Sequence, residues 1–428
     1  MTPPAPPRLP GPLAGLRVLE LAHIMAGPVC GLMLADLGAD VIKVEKVPGG
    51  DDTRRQVPPS VGEESAAFMI VNRNKRGLAI DLKRPEGVAV LKRLAATADV
   101  LVENYRHDTM AKLGLGWEEL SAINPRLIYC ALSGFGRTGP YAERGGFDLI
   151  AQGMSGLMSI TGEAGPDKPP TKCGPPVTDI TAGLLATIGI LAAHARRAET
   201  GRGQAVDTSL FEAGIIHTYW QSAITFATGV PPGPLGSAHP LNAPYQAVPT
   251  ADGWINIGAA NQRNWLRLLE VIEAPDLAAD ARFRDNPGRM ANLPALADAL
   301  GRIFRERPSS EWLGRLEAAG VPAGPVLDIA AMHADPQALA REMIVEVDHA
   351  RLGPVKTLGL PIKLSETPGG VRSGAPVLGQ HSRAILADHG YSDAEIDALV
   401  RDGVVVEPAA PELAPPEPAP PELEPRRS

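Results

Sequence analysis

Aromatic side chains are scarce, at 4% of 428 residues, so a core has to be assembled from Leu, Val, Ile and Ala. Cysteine is scarcer still, and Cys30, Cys130 and Cys173 are widely spaced and odd in number. With neither a C-x-x-C pair nor a Cys/His cluster, no disulfide framework and no metal site is indicated. The three thiols read as small buried hydrophobes in a reducing compartment. Basic residues are not in excess: the formal net charge is -8, which argues against nucleic acid or an anionic membrane surface as a general partner. An anion held in a local basic pocket remains compatible with that charge. Residues 1–12 are proline-rich and lack the apolar stretch of a signal peptide. The longest apolar run, Ile180 to Ala195, contains Thr, Gly and His and falls short of the ~20 residues of a membrane span, so a buried helix explains it better. A cytoplasmic protein is expected.

What the chain does have is alternation. Arg17 to Leu21 reads as a strand, and Pro28 can start a helix with Val29, Leu32, Met33 and Leu37 on one face. Gly38 ends that helix and Val41 to Val44 makes the next strand. Ala79 to Leu82, a helix opened by Pro85, Val100 to Val102 and Leu127 to Leu132 repeat the theme. Strands alternating with helices predict βαβ units and a doubly wound parallel sheet. Gly229 to Pro240 is rich in Pro, Gly and Ser, and 206–240 is expected to be a linker. Beyond it, Gln246 to Ile257 predicts a hairpin turning at Asp252-Gly253, with helices around Asn264 to Ile272, Leu293 to Phe304 and Glu311 to Ala319. This gives a small domain over 241–325 and a return segment over 326–405. Ser392 and Glu395 form a capping-box pattern for a last helix. Residues 1–12 and the Pro/Glu-rich 406–428 are expected to be disordered.

Gly134-Phe135-Gly136-Arg137-Thr138-Gly139 matches a dinucleotide fingerprint and follows a strand. The match fails in context, because Pro140 follows at once and helical periodicity resumes only around Phe147 to Leu157. A carboxylate is more informative. Pro175-Pro176-Val177-Thr178-Asp179 leads directly into the long apolar run, so a helix starts near Asp179. The plain reading makes Asp179 an N-cap. The alternative makes it a reactive group, favoured as an anion by the helix field and opposed by burial.

Several stretches resemble the family III CoA-transferases, the group of formyl-CoA transferase and carnitine CoA-transferase. They are Leu16 to Glu45, Asn72-Arg73-Asn74-Lys75, Val102-Glu103-Asn104-Tyr105, Ser133 to Gly156 and Thr178 to Ala213. Gly320-Val321-Pro322 to Val326 and Leu378-Gly379-Gln380-His381 resemble it as well, so the likeness runs from about Leu13 to Val405. Within it, Gly50 to Arg54, Val71 to Lys75 and Gly236 to Ala247 look closest to the succinate–hydroxymethylglutarate branch. The resemblance implies a Rossmann-like parallel-sheet large domain over 13–205 that binds CoA, a smaller α+β domain, and an interlocked, ring-like homodimer. It also implies transfer of CoA from an acyl-CoA such as succinyl-CoA to a small carboxylic or dicarboxylic acid, without a metal.

The family's nucleophilic aspartate falls on Asp179. Lys46, Asn104 and Lys112 match positions that contact the nucleotide part of CoA, and Ile24, on the loop after the first strand where the family approaches the thioester, is added as a CoA contact. Arg73 and Lys75 are added as local cations for the phosphates, against the plainer reading of a solvated face. Met25 stands where formyl-CoA transferase has a glutamine, and a thioether donates no hydrogen bond, so that role is either absent or taken by a backbone amide. His23 and His239 are candidate contacts for the acid, each with the alternative of being a packed loop residue. Phe147 occupies the place of the proton-shuttling histidine of the related α-methylacyl-CoA racemases. Phenylalanine moves no proton, which favours transfer over racemization. A non-catalytic CoA- or nucleotide-binding protein is the remaining alternative.

Overall fold

The computed structural model describes residues 11–165 and 167–408, so the terminal segments expected to be disordered fall mostly outside the described residues. A seven-stranded sheet organises the chain. In spatial order its strands are Val405–Val406, Arg76–Ile80, Asp40–Lys46, Arg17–Leu21, Val100–Glu103, Ile128–Ser133 and Ala205–Ser209. All neighbours run parallel except Val405–Val406, which pairs antiparallel with Arg76–Ile80. The inner strands are covered on both faces, which is why they read as near-continuous apolar runs. One face packs on helix Ala26–Asp36 and the long helix Val177–Thr200 through Cys30, Leu34, Ala182, Ala186 and Ile190. The other packs on helices Pro85–Ala95, Ser382–Asp388 and Asp393–Arg401 through Val90, Leu91, Ile385 and Ile396.

The first strand sits in mid-sheet. The chain builds outward from it in one direction through Asp40–Lys46 and Arg76–Ile80, then crosses to Val100–Glu103 and builds outward in the other. Between Arg17–Leu21 and Val100–Glu103 the connections diverge, and a crevice opens beyond the carboxyl ends of the strands.

Two expectations need correction. Residues 206–240 are not simply a linker. Ala205–Ser209 is the sheet's edge strand, and Ser209 caps helix Leu210–Ile216 by accepting the Glu212 amide before helix Tyr219–Thr228 follows. An edge strand needs no continuous apolar run, and its exposed alternate positions disguise it as loop. Val406 is not the start of a tail either, since it pairs with Ala79. The long helix has 24 residues, more than its apolar run, because polar residues extend it at both ends. By length and composition it would suffice to cross a membrane. Its Ala182, Ala186, Ile190 and Ala193 row is buried against the sheet.

Beyond residue 244, strands Tyr245–Pro249, Trp254–Gly258 and Ala323–Pro325 form an antiparallel sheet. Trp265, Leu300, Phe304 and Trp312 pack on it from helices Gln262–Val271, Leu293–Phe304 and Ser309–Ala318. The last helix carries the expected capping box, with Ser392 and Glu395 each bonded to the other's backbone.

Candidate active site

The floor of the crevice is built from charges inside strands. Glu20 and Lys43 are register partners on adjacent strands, and both side chains are fully buried. The Lys43 ammonium lies 3.0 Å from Glu20 and 2.7 Å from Asp51, while Lys75 lies 2.7 Å from the other Glu20 oxygen. Burial pushes the Lys75 ammonium down to about 8, against the pull of Glu20. Burial also opposes charge on Asp51, but the Lys43 ammonium and several hydrogen bonds hold its carboxyl well below the usual range.

This cluster reaches up to the loop after the first strand. Lys43 donates to the Ala22 carbonyl at 2.5 Å, Lys75 donates to the Pro28 carbonyl at 2.9 Å, and Asp51 Oδ1 accepts the Ile24 amide at 3.1 Å. From across the crevice, Asn104 Oδ1 accepts the His23 amide at 2.9 Å, and its Nδ2 donates to the His23 carbonyl at 2.8 Å. The loop therefore takes its shape from side chains. Ile24 itself has φ +68°, a left-handed conformation that costs a β-branched residue about 1–3 kcal/mol.

Asp179 is the third residue of the long helix, which begins after Pro176. It is not the cap. Asp148, at the start of helix Asp148–Met154, accepts the Thr178 amide at 3.0 Å and the Thr178 hydroxyl at 2.7 Å. Its second oxygen accepts Gln152 Nε2 at 2.7 Å. With that duty taken, the half-buried Asp179 carboxyl accepts no hydrogen bond among the described residues. Burial, then the nearby negative charge of Asp148, push its carboxyl up to about 7. One turn on, Gly183 admits the first helix closely, since a Cβ there would lie 2.5 Å from the Ala26 carbonyl oxygen.

A cleft of about 390 Å³ lies over this arrangement. Its wall brings together Asp179, His23, Ile24, Met25, Asn104 and Phe147 from the sequence-derived set. Phe147 is 75% exposed and presents a bare ring. His23 is lowered from its usual value by burial, against the pull of Asp51 and Asp52. Lys46 borders the cleft through its ion pair with Asp52, at 2.6 Å. Lys112 is an exposed side chain paired with Asp108 and does not line the cleft.

Arg73 and Lys75 are not brought to the cleft. Arg73 is buried against Asp36 at 2.6 Å and Lys75 against Glu20, so neither charge is free to leave its partner. His239 is also not brought to the cleft; its ring packs between Trp220 and Tyr245, at 6.2 and 5.3 Å. Sequence reasoning missed Arg106, His107 and Arg144, all exposed on the cleft wall, and Arg144 lies over the Tyr141 ring at 3.9 Å. Arg106 and His107 directly follow Asn104-Tyr105, so adjacency to a strand end at the sheet's switch point was the available signal. The Gly134–Gly139 segment opens no helix. Gly134 instead touches Gly146, where a Cβ would lie 2.6 Å from the Gly146 Cα.

Comparison with known proteins agrees with this geometry. The model of CoA-transferase family III matches residues 13–382. A succinate–glutarate CoA-transferase of Agrobacterium fabrum is 42% identical over 383 residues, covering 88% of this chain and 95% of that protein. A human succinyl-CoA:glutarate CoA-transferase is 37% identical over 395 residues, covering 92% and 90%. The crystal structure of a CaiB/BaiF family protein from Brucella suis superposes with a TM-score of 0.79 at 42% identity, over 89% of this chain and 100% of that one. A parallel sheet with a crevice at its switch point, and a match along nearly the whole described chain, make this protein a member of CoA-transferase family III.

Proposed function

We propose that the enzyme moves CoA from succinyl-CoA to a second small dicarboxylic acid through covalent intermediates on Asp179. The carrying observation is a carboxyl in the cleft that is half-buried, free of hydrogen bonds among the described residues and relieved of helix capping by Asp148. The relatives named for succinate–glutarate and succinyl-CoA:glutarate transfer support the choice of acids.

In this reading the Asp179 carboxylate attacks the thioester carbonyl, the C–S bond breaks, and CoA leaves as thiolate from a mixed anhydride. The thiolate then attacks the aspartyl carbonyl, breaking the anhydride C–O bond and releasing the donor acid. The acceptor carboxylate attacks the resulting aspartyl thioester and expels the thiolate. The thiolate finally attacks the acceptor's acyl carbon and frees Asp179. Every step exchanges one activated acyl group for another, so no ATP or redox partner is required. Met25 has no N–H on its side chain, and the Ala26 and Gly27 amides at the start of helix Ala26–Asp36 serve the developing oxyanion, since Pro28 has none and Val29 donates to the Met25 carbonyl. Lys46 at the border of the cleft, with Arg106 and Arg144 on its wall, supplies positive charge for the phosphates of CoA.

The active species is a homodimer, of the interlocked ring-like kind that the family resemblance implies. Apolar side chains left in the open support an interface: Ile188 is 63% exposed on the long helix, and Tyr219, Trp220 and Phe226 are exposed on the next helix but one. Phe147 on the cleft wall gives racemization no proton carrier. Incubation with succinyl-CoA and glutarate, followed by mass detection, is expected to yield glutaryl-CoA and succinate. Asp179→Ala is expected to lower that rate by about 10⁴-fold. An unaltered rate in this variant, or no new thioester with any dicarboxylate, would refute the reading.

A further inference from the structure

The buried charges under the loop explain more than stability. Glu20, Lys43, Asp51 and Lys75 lie beneath residues 22–28, and three of them bond to that loop's backbone. Of these bonds, only the one from Asp51 meets a residue in an unfavourable conformation. Ile24 has a β-branched side chain at φ +68°, a state that persists only where its surroundings enforce it. Asp51 Oδ1 also accepts the Thr53 amide at 2.9 Å and hydroxyl at 2.8 Å, so the oxygen itself is fixed in place. Oδ2 takes the Lys43 ammonium at 2.7 Å. The two residues after Ile24, Met25 and Ala26, line the cleft together with Asp179.

We infer that Asp51 is a positioning residue for transfer: braced by Lys43, it holds Ile24 in the left-handed turn that sets the Met25–Ala26 backbone against Asp179. It touches neither substrate nor the reacting atoms. The inference rests on Asp179 chemistry for its kinetic consequence, but the hold on Ile24 is a property of the folded chain alone.

Asp51→Asn separates the two duties. One amide oxygen can serve Lys43 or the Ile24 and Thr53 amides, not both, and the ammonium is the stronger claimant. The expected result is a kcat for succinyl-CoA-dependent transfer lower by about 10²-fold, with a much smaller change in KM, because a misplaced loop costs the reaction more than binding. Adding Ile24→Gly to that variant is expected to restore about ten-fold, since glycine adopts the same turn without being held. A purely structural role would give no rescue. Hydrogen–deuterium exchange over residues 22–28 reads the hold without catalysis and is expected to be faster in Asp51→Asn than in the native chain.

Should Asp51→Asn fail to fold, Ile24→Pro removes the amide and the left-handed turn while sparing the buried charges. It is expected to lose kcat to a similar extent and to melt somewhat lower while still folding, since proline cannot adopt the native turn and removes a bonded amide. Native-like kcat in Asp51→Asn or Ile24→Pro, absence of rescue by glycine, or unchanged exchange in Asp51→Asn would overturn the inference. Faster exchange in a protein whose native form transfers no CoA would leave the hold standing and refute the transferase reading instead.

Discussion

The floor of the cleft and the head of the long helix use buried carboxylates in opposite ways. Beneath the loop, Glu20 and Asp51 are closed in by Lys43 and Lys75, and each carboxylate lies within ion-pair distance of an ammonium. At the helix head, Asp148 takes the Thr178 amide and hydroxyl, and Asp179 is left with neither cation nor donor among the described residues. Pairing holds Asp51 well below the usual carboxylate range, whereas burial and a like charge lift Asp179 to about 7. In the proposed reading the paired charges fix geometry, and the unpaired one keeps its lone pairs for chemistry. A carboxylate poised near neutral pH is anionic often enough to attack and is not quenched by a permanent partner.

The sharpest way to break this contrast is to unpair the floor. Lys43→Met leaves Asp51 buried without its ammonium and removes the donor to the Ala22 carbonyl. The expected loss is about 3–5 kcal/mol of stability, read by urea denaturation. A loss below about 1 kcal/mol would place the pair among those of little consequence.

A smaller effect of opposite sign is expected at the helix head. The Asp179 carboxyl titrates near 7 in the fold and near 3.8 when unfolded, so over that window the unfolded chain gives up its proton first. Stability from this group is therefore full at low pH, falls as pH rises between the two values, and is lowest above about 7. Asp179→Asn carries no such charge. It is expected to match the native chain at pH 4 and to exceed it by about 2 kcal/mol at pH 8, less than the full shift because solvent reaches part of the group. Parallel melting curves of the two proteins at both pH values check this. The same substitution is thus expected to abolish transfer while strengthening the fold, whereas Lys43→Met is expected to weaken the fold.

Much of this was legible in residues near one another in sequence. The strand Arg17–Leu21, the helix Leu293–Phe304 and the Ser392–Glu395 capping box have the bounds or pattern that the sequence predicts. The helix start at Asp179 was legible because prolines on one side and an apolar run on the other pin it, but that pattern read the residue as a cap and only the family resemblance singled it out as a nucleophile. Its lack of a partner was not, since the residue that takes over the capping lies 30 positions earlier. Arg73 and Lys75 read as phosphate ligands for the same reason: their partners, Asp36 and Glu20, are distant in sequence and meet them only in the fold. One sign of the buried floor was in view, namely Glu20 and Lys43, charges set directly between apolar neighbours inside strands. Charges in such positions have to find each other.

The central claim is that Asp179 becomes covalently joined to CoA. Quenching the enzyme during turnover of succinyl-CoA, then digesting it and mapping the peptides by mass, tests this most directly. The account predicts a CoA adduct on the peptide that contains Asp179, absent from Asp179→Asn. Confirmed turnover with the adduct on another residue, or with none at all, would contradict it.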